Sequence, residues 1–247
     1  MSTIPADAPS ALQPLDETFE TVLVVVAHPD DIEYGTAAAV ARWTTQGKTV
    51  TYLLATRGEA GIDTMEPEQA SVVREQEERD GGSKVGVQHI DFLDFHDGVV
   101  EYGLPLRREI CRVIRERRPD VIVGSAPELR MMGQLNQSDH RAVSLATLDA
   151  IRDAGNRWIF PDQLRGGLEP WGGVGQALLV GGPNPTHYVE VGDHLEPAIA
   201  SLEAHEAYNS VLPDSFPKPR ALVTMILEGG GKAAGVGHAV VFEVWPF

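Results

Sequence analysis

Thr21 to Ala27 reads TVLVVVA, and His28-Pro29-Asp30-Asp31 follows without a break. A short β-branched run with no polar alternation is the mark of a strand covered on both faces. Working outward, Gly35 to Gln46 carries Ala37, Val40, Ala41 and Trp43 and stops at Gly47, which predicts a helix. Thr49 to Ala55 (TVTYLLA) is a second strand, and the charged stretch Pro67 to Lys84 a helix weakened at its end by Gly81 and Gly82. His89 to Phe95 is a third strand. Leu106, Ile110, Val113 and Ile114 fall at helical spacing in Pro105 to Arg117, and Asp120 to Gly124 (DVIVG) is a fourth strand. Ser138 to Ala154 reads as a helix capped by Ser138, with Val143, Ala146, Ala150 and Ile151 as its buried stripe. Strands alternating with helices imply right-handed βαβ units, hence a Rossmann-like, doubly wound, mostly parallel sheet with helices on both faces.

The second half is less regular. Gln176 to Val180, His187 to Val191, Leu222 to Leu227 and Ala239 to Val244 read as strands that extend or cap the sheet. Leu195 to Tyr208 reads as a helix, and Pro161 to Gly175 and Pro213 to Pro219 as loops. Gly229 to Gly237 carries no G-K-[ST] and reads as a flexible turn. Trp158, Pro161 and Trp171 line a pocket or, more commonly for such residues, pack the late strands. The expected organisation is a loose tail over residues 1–18 and a single domain over 19–247.

The chain has 247 residues, and 20 Lys+Arg against 36 Asp+Glu give a formal charge of −16. Such a balance argues against a nucleic-acid partner and against docking on anionic lipid. The one cysteine, Cys111, excludes an intramolecular disulfide framework and reads as a small core residue. No apolar run approaches bilayer length and the first 20 residues lack a signal-peptide pattern, so a soluble, cytoplasmic protein is expected. A homo-oligomer is compatible with all of this.

In an open α/β sheet, ligands bind beyond the carboxyl ends of the strands, where the chain order reverses. A loop there normally carries small residues; here it carries an imidazole and two carboxylates. His28 and Asp31 can face one point while Asp30 stays close by, which suits two metal ligands and a free general base. The simpler reading is a helix capped by Asp30 or Asp31 with His28 as a polar loop residue. A catalytic zinc takes three protein ligands, so the third must come from another loop at the same edge. His140, at the start of the helix after the fourth strand, meets that requirement, and Asp139 beside it could orient a neighbouring group. Two histidines and one carboxylate favour zinc, one ion per chain, over magnesium, with other divalent ions such as Fe2+ compatible.

The pattern VVVAHPDDIEYG…TRGEAG…REQE…KVGV…FLDFHDG…SDHRAV resembles the LmbE-like, or PIG-L, family of zinc-dependent deacetylases, over about Thr21 to Tyr208. The resemblance implies N-deacetylation of an N-acetylglucosaminyl-type or natural-product small molecule. It implies His28, Asp31 and His140 as zinc ligands and Asp30 as the base for the zinc-bound water. It further implies that Arg74 and Asp97 bind substrate. Without it, Arg74 reads as a solvated or salt-bridged helix residue and Asp97, before Gly98, as a turn residue.

One position departs from the family. Where a histidine is usual, this chain has Gln137, which can donate a hydrogen bond to substrate but cannot transfer a proton. A tyrosine found two positions earlier in some members is Leu135 here. Proton delivery to the leaving amine then falls to Asp30 or to another residue, with His205 and His238 as candidates that read more simply as structural. Loops 126–137, 155–175 and 209–220 are expected to shape the pocket. Two other readings remain at this point: a magnesium-dependent phosphate-ester hydrolase, and a non-catalytic metal-binding module.

Overall fold

A computed structural model describes residues 11–131 and 133–247 of the chain. Its strands are β1 (Gln13–Pro14), β2 (Thr21–Val26), β3 (Thr49–Leu54), β4 (His89–Phe92), β5 (Val121–Ser125), β6 (Arg130–Met131), β7 (Gln134–Leu135), β8 (Gln176–Val180), β9 (His187–Glu190) and β10 (Ala239–Pro246). Eight of them form one sheet in the order β1-β9-β10-β8-β5-β2-β3-β4, while β6 and β7 make a separate hairpin. From β8 to β4 every pairing is parallel; β10 runs antiparallel to both β8 and β9. The chain moves from β2 outward through β3 and β4, then returns to place β5 on the other side of β2. The carboxyl end of β2 therefore faces the crevice where the order reverses.

The helices are α1 (Ala37–Thr45), α2 (Pro67–Lys84), α3 (Leu104–Arg117), α4 (Ser138–Gly155), α5 (Pro161–Arg165), α6 (Leu195–Glu203), α7 (Glu206–Val211) and α8 (Pro219–Ala234). Alternate residues of β2 feed two separate cores. Val22, Val24 and Val26 pack with α1, α6 and α8 on one face; Leu23 and Val25 pack with α3 and α4 on the other. This two-sided burial is why the run reads as continuous rather than alternating. Cys111 sits inside the second core.

Several expectations need correction. Leu222 to Leu227 is helix, not strand: α8 runs through it to Ala234 and absorbs Gly229 to Gly231. Those glycines let the helix press on the sheet. A Cβ on Gly230 would lie 2.2 Å from the Ala239 carbonyl oxygen, and one on Gly231 2.3 Å from that of Gly237. The stretch Leu195 to Tyr208 is two helices, broken at Ala204 and His205. The loop expected over Pro161 to Gly175 contains α5. Ser138 is not the cap of α4; Gln137 holds that position, and the Ser138 hydroxyl donates to Asp139 instead. Of the tail expected over residues 1–18, residues 1–10 lie outside the described residues. The rest is pinned: β1 pairs with β9, and Leu15 is buried. Trp158 is exposed, and Trp171 donates to the Pro119 carbonyl, so neither lines a pocket at the crevice. Among the described residues no helix is long and apolar enough to cross a membrane.

Candidate active site

The turn after β2 and the first turn of α4 bring four groups to one place. Asp31 folds back on its own loop: Oδ2 accepts the N–H groups of Ala27 (3.1 Å) and His28 (2.9 Å). Its other oxygen, Oδ1, is left facing His140 Nε2 at 3.0 Å. His28 Nδ1 lies 3.6 Å from Asp31 Oδ2, and the two imidazole centroids are 5.2 Å apart. One ligand atom from each of His28, Asp31 and His140 lies within 4.8 Å of the others. The adjacency of β2 and β5 accomplishes this, because the segment leaving β5 delivers α4 and its first-turn histidine to the same edge.

Each imidazole is oriented by a partner on its far side. His28 Nε2 is 3.3 Å from Asp139 Oδ2 and 3.0 Å from Asp97 Oδ1, so it donates on that side and turns Nδ1 toward Asp31. On the other ring, His140 Nδ1 is 3.1 Å from Asn136 Oδ1. The Asn136 amide donates to the carbonyls of Ala126 and Glu128, which fixes its oxygen as the acceptor for His140. His140 Nε2 is buried and has no hydrogen-bond partner. An inward-aimed lone pair, a second one from His28 and a carboxylate oxygen are the donor set of a divalent site. Asp139 is buried and also accepts the N–H groups of Gly98 and Val100, tying the β4–α3 loop to His28.

Charge at this site is heavily negative. Burial works against a charged imidazole, but Asp139, Asp31 and Asp97 surround His28 and push it up to about 12. Burial also opposes ionisation of Asp31, yet His140 and His28 hold it far below the usual carboxylate range. Asp97 is lowered in the same manner, burial being outweighed by His28 and the Ala60 N–H.

Asp30 sits beside this group with a left-handed backbone (φ 84°), unusual for a residue other than glycine. Its N–H donates to Glu78 Oε2 at 3.1 Å. Its Oδ1 is 3.2 Å from Arg74 Nη2, while Oδ2 is buried without a partner. Burial raises Asp30 to about 6, with Arg74 opposing.

Of the two plain readings of Arg74, salt-bridged holds and solvated does not: it pairs with Asp30 and faces no open space. It is 2% exposed, and its guanidinium donates to the carbonyls of Pro29 (2.6 Å) and Gly58 (3.3 Å) while lying 4.0 Å from the Tyr208 ring centroid. Gln137 is exposed at the start of α4, and Leu135 is exposed on the hairpin. His205 is fully buried, 3.8 Å from Glu33 Oε2 and 3.9 Å from Glu78 Oε2, so it is walled off from the crevice by the residues that carry Asp30. His238 enters none of the ion pairs or side-chain hydrogen bonds found among the described residues.

Sequence reasoning passed over Asn136, Glu33, Glu78 and Tyr34. Tyr34 lines the same crevice as Asp31 and His140, and burial, followed by the Asp30 charge, pushes its phenol upward. Asn136, four residues before His140, was the most findable: that spacing suits a partner for a histidine at a helix start. The crevice holds about 710 Å³. Among the described residues, 126–137 is the one expected loop that lines it; Asp31, Tyr34, Gly35, Ser125 and residues within 179–185 and 225–243 supply its other walls.

The chain is similar to several known proteins. The sequence model described as "PIG-L: GlcNAc-PI de-N-acetylase" matches residues 23–151. A diacetylchitobiose deacetylase of Thermococcus kodakarensis is 29% identical over 75% of this chain and 69% of its own length. A probable N-acetyl-α-D-glucosaminyl L-malate deacetylase of Bacillus cereus is 29% identical over 53% of this chain and 60% of its own. The solved N,N'-diacetylchitobiose deacetylase of Pyrococcus horikoshii superposes with a TM-score of 0.83 at 22% identity, covering 93% of this chain and 85% of that one. The 4-carboxy-2-hydroxymuconate hydratase GalB of Pseudomonas putida superposes at 0.74 with 16% identity, covering 92% and 97%. The fold by itself therefore does not select the reaction.

Proposed function

The chain belongs to the PIG-L family of GlcNAc-PI de-N-acetylases, and we propose that it is a zinc-dependent hydrolase. Its reaction would remove the acetyl group from an N-acetylglucosaminyl-type or related small-molecule amide. His28 through Nδ1, Asp31 through a carboxylate oxygen and His140 through Nε2 would hold the ion. The single observation that carries this reading is the partnerless, buried His140 Nε2, aimed at Asp31 Oδ1 3.0 Å away. A divalent ion held there supplies a Lewis acid that acidifies water and polarises the amide carbonyl.

The chain's own residues do the rest. Asp30 accepts a proton from the attacking water at Oδ2, the oxygen that nothing else engages. Arg74 holds the opposite oxygen, so the carboxylate presents one fixed lone pair. As the C–N bond breaks, the nitrogen must leave protonated, and Asp30 returns the proton it took. Gln137 cannot supply one. Water and amide thus give acetic acid and the amine, which at neutral pH are acetate and the ammonium ion. Asp139 and Asn136 keep both imidazoles in the tautomers that ligation requires. A magnesium phosphate-ester hydrolase runs against two imidazoles in the donor set.

The test is release of primary amine from N-acetylglucosaminides by zinc-loaded protein, compared with protein stripped by a chelator. Activity lost on stripping and regained with zinc supports the reading. Asp30→Asn retaining zinc but losing about 10²–10⁴-fold in kcat supports Asp30 as the base. Unchanged zinc content in His140→Ala, or turnover of phosphate esters with magnesium alone, overturns it.

A further inference from the structure

We infer that the amine portion of the substrate carries an extended apolar group, seated in the groove that starts at Asp31 and His140. This rests on the deacetylase reading above, since an acetyl leaves the rest of the molecule on the amine side. Two independent observations converge on it.

The first is the groove itself. It opens beside Asp31 and His140 and runs between β8, β10, α8 and the β6–β7 hairpin. Its volume of about 710 Å³ lies in the range of small-molecule clefts and well beyond one acetamido sugar. Met131, Val180, Pro183, Met225, Ile226 and Val241 furnish its walls. Beyond Asp31 and His140, the charged lining residues are Arg130 and Glu243. A pocket for a polyol would need many more donors and acceptors along that length.

The second concerns Arg74 and Asp97, the two charged residues expected to bind substrate. Arg74 is committed to Asp30, Pro29 and Gly58, and Asp97 to His28 and the Ala60 N–H. With those two side chains turned inward, binding leans on burying apolar surface, and the groove is where such surface is offered.

The groove has a defined handle. A Cβ built at Gly229 meets no heavy atom within 4 Å, and Gly229 sits in a helix, so Gly229→Trp adds an indole without straining the backbone. Methyl and hexyl β-glucosaminide, the amine products, serve as calorimetric probes on the zinc-loaded full chain. Their N-acetyl forms are run in parallel for amine release. The hexyl compound is expected to bind at least tenfold more tightly, since burying two of its five added methylenes gives about that factor. In Gly229→Trp that ratio is expected to fall toward one, with melting temperature confirming the fold. Equal affinities for the pair, or an unchanged ratio in Gly229→Trp, overturns the inference. So does a selective gain for the N-hexanoyl methyl glycoside, which would put the apolar group on the acyl side. A change of oligomeric state in the variant with the ratio intact also overturns it, marking the groove as an interface between copies. A hexyl preference with no amine released from any glycoside leaves the groove standing and refutes the deacetylase reading instead.

Discussion

Arg74 Nη2 lies 3.2 Å from Asp30 Oδ1, and the same guanidinium holds the carbonyls of Pro29 and Gly58. One buried side chain on α2 thus fixes both the carboxylate and the backbone that presents it. This is the geometry of a positioning residue. Arg74→Lys keeps the charge but loses the planar fork. We expect kcat to fall by at least about tenfold with KM and zinc content little changed. A rise in KM at constant kcat would instead assign Arg74 to substrate. Arg74→Ala leaves Asp30 buried and unpaired, and is expected to cost about 3–5 kcal/mol of stability by denaturant titration.

Asp139 bonds His28 and two backbone N–H groups of the loop after β4. Asp139→Ala removes one of the two carboxylates at His28 Nε2 and the one tied to the loop backbone. Zinc affinity is expected to weaken by about 10–100-fold, measured by competition with a chromophoric chelator. An Asn136→Ala change should act in the same direction through His140. Affinity unaltered in both would mean neither partner tunes the ligands.

The buried His205 faces Glu33 and Glu78 and also feels Asp30. Burial alone would lower it, but those carboxylates raise it to about 9 from an ordinary 6.5. A raised imidazole stabilises the fold fully below pH 6.5 and ceases to do so as pH rises through about 9. Glu78, raised above the carboxylate range by burial and by Glu33, acts with the same sign. The melting temperature should therefore fall between pH 6.5 and 9.5. In His205→Gln the fall should be smaller, each kcal/mol lost corresponding to about 2–4 °C in a chain of this size. An equal fall in both proteins would remove His205 as its source.

Neighbouring glycines on α8 should respond oppositely. Gly229→Ala enters open space on a helix and is expected to stabilise by about 1 kcal/mol or less. Gly230→Ala must push against the Ala239 carbonyl and is expected to cost about 1–3 kcal/mol despite the better helix propensity. Thermal denaturation of the two variants checks this, and a stabilised Gly230→Ala would contradict the tight α8–β10 contact.

The first half of the chain was legible because its signals are local and repeat. Val22 to Val26 is apolar on both faces whatever packs there, and Pro105 with the Leu106, Ile110, Val113, Ile114 stripe announces α3. The meeting of His28, Asp31 and His140 follows once β2 and β5 are neighbours, which the βαβ alternation dictates. Leu222 to Leu227 misled because a β-branched, apolar run ahead of glycines looks like a strand. Here the glycines are absent side chains that let α8 approach β10, and no local pattern distinguishes that from a turn.

The sequence alone determined the parallel part of the sheet, its crevice and the residue types that converge there, since strand periodicity and chain order are properties of the chain itself. Tertiary structure decided which way each polar side chain turned. Arg74, Glu78 and His205 stand on elements far apart in sequence, and a charged residue on a helix reads as solvated until another element covers it. Their burial behind Asp30, and the apolar groove on its other side, exist only through packing between segments that carry no mark of one another.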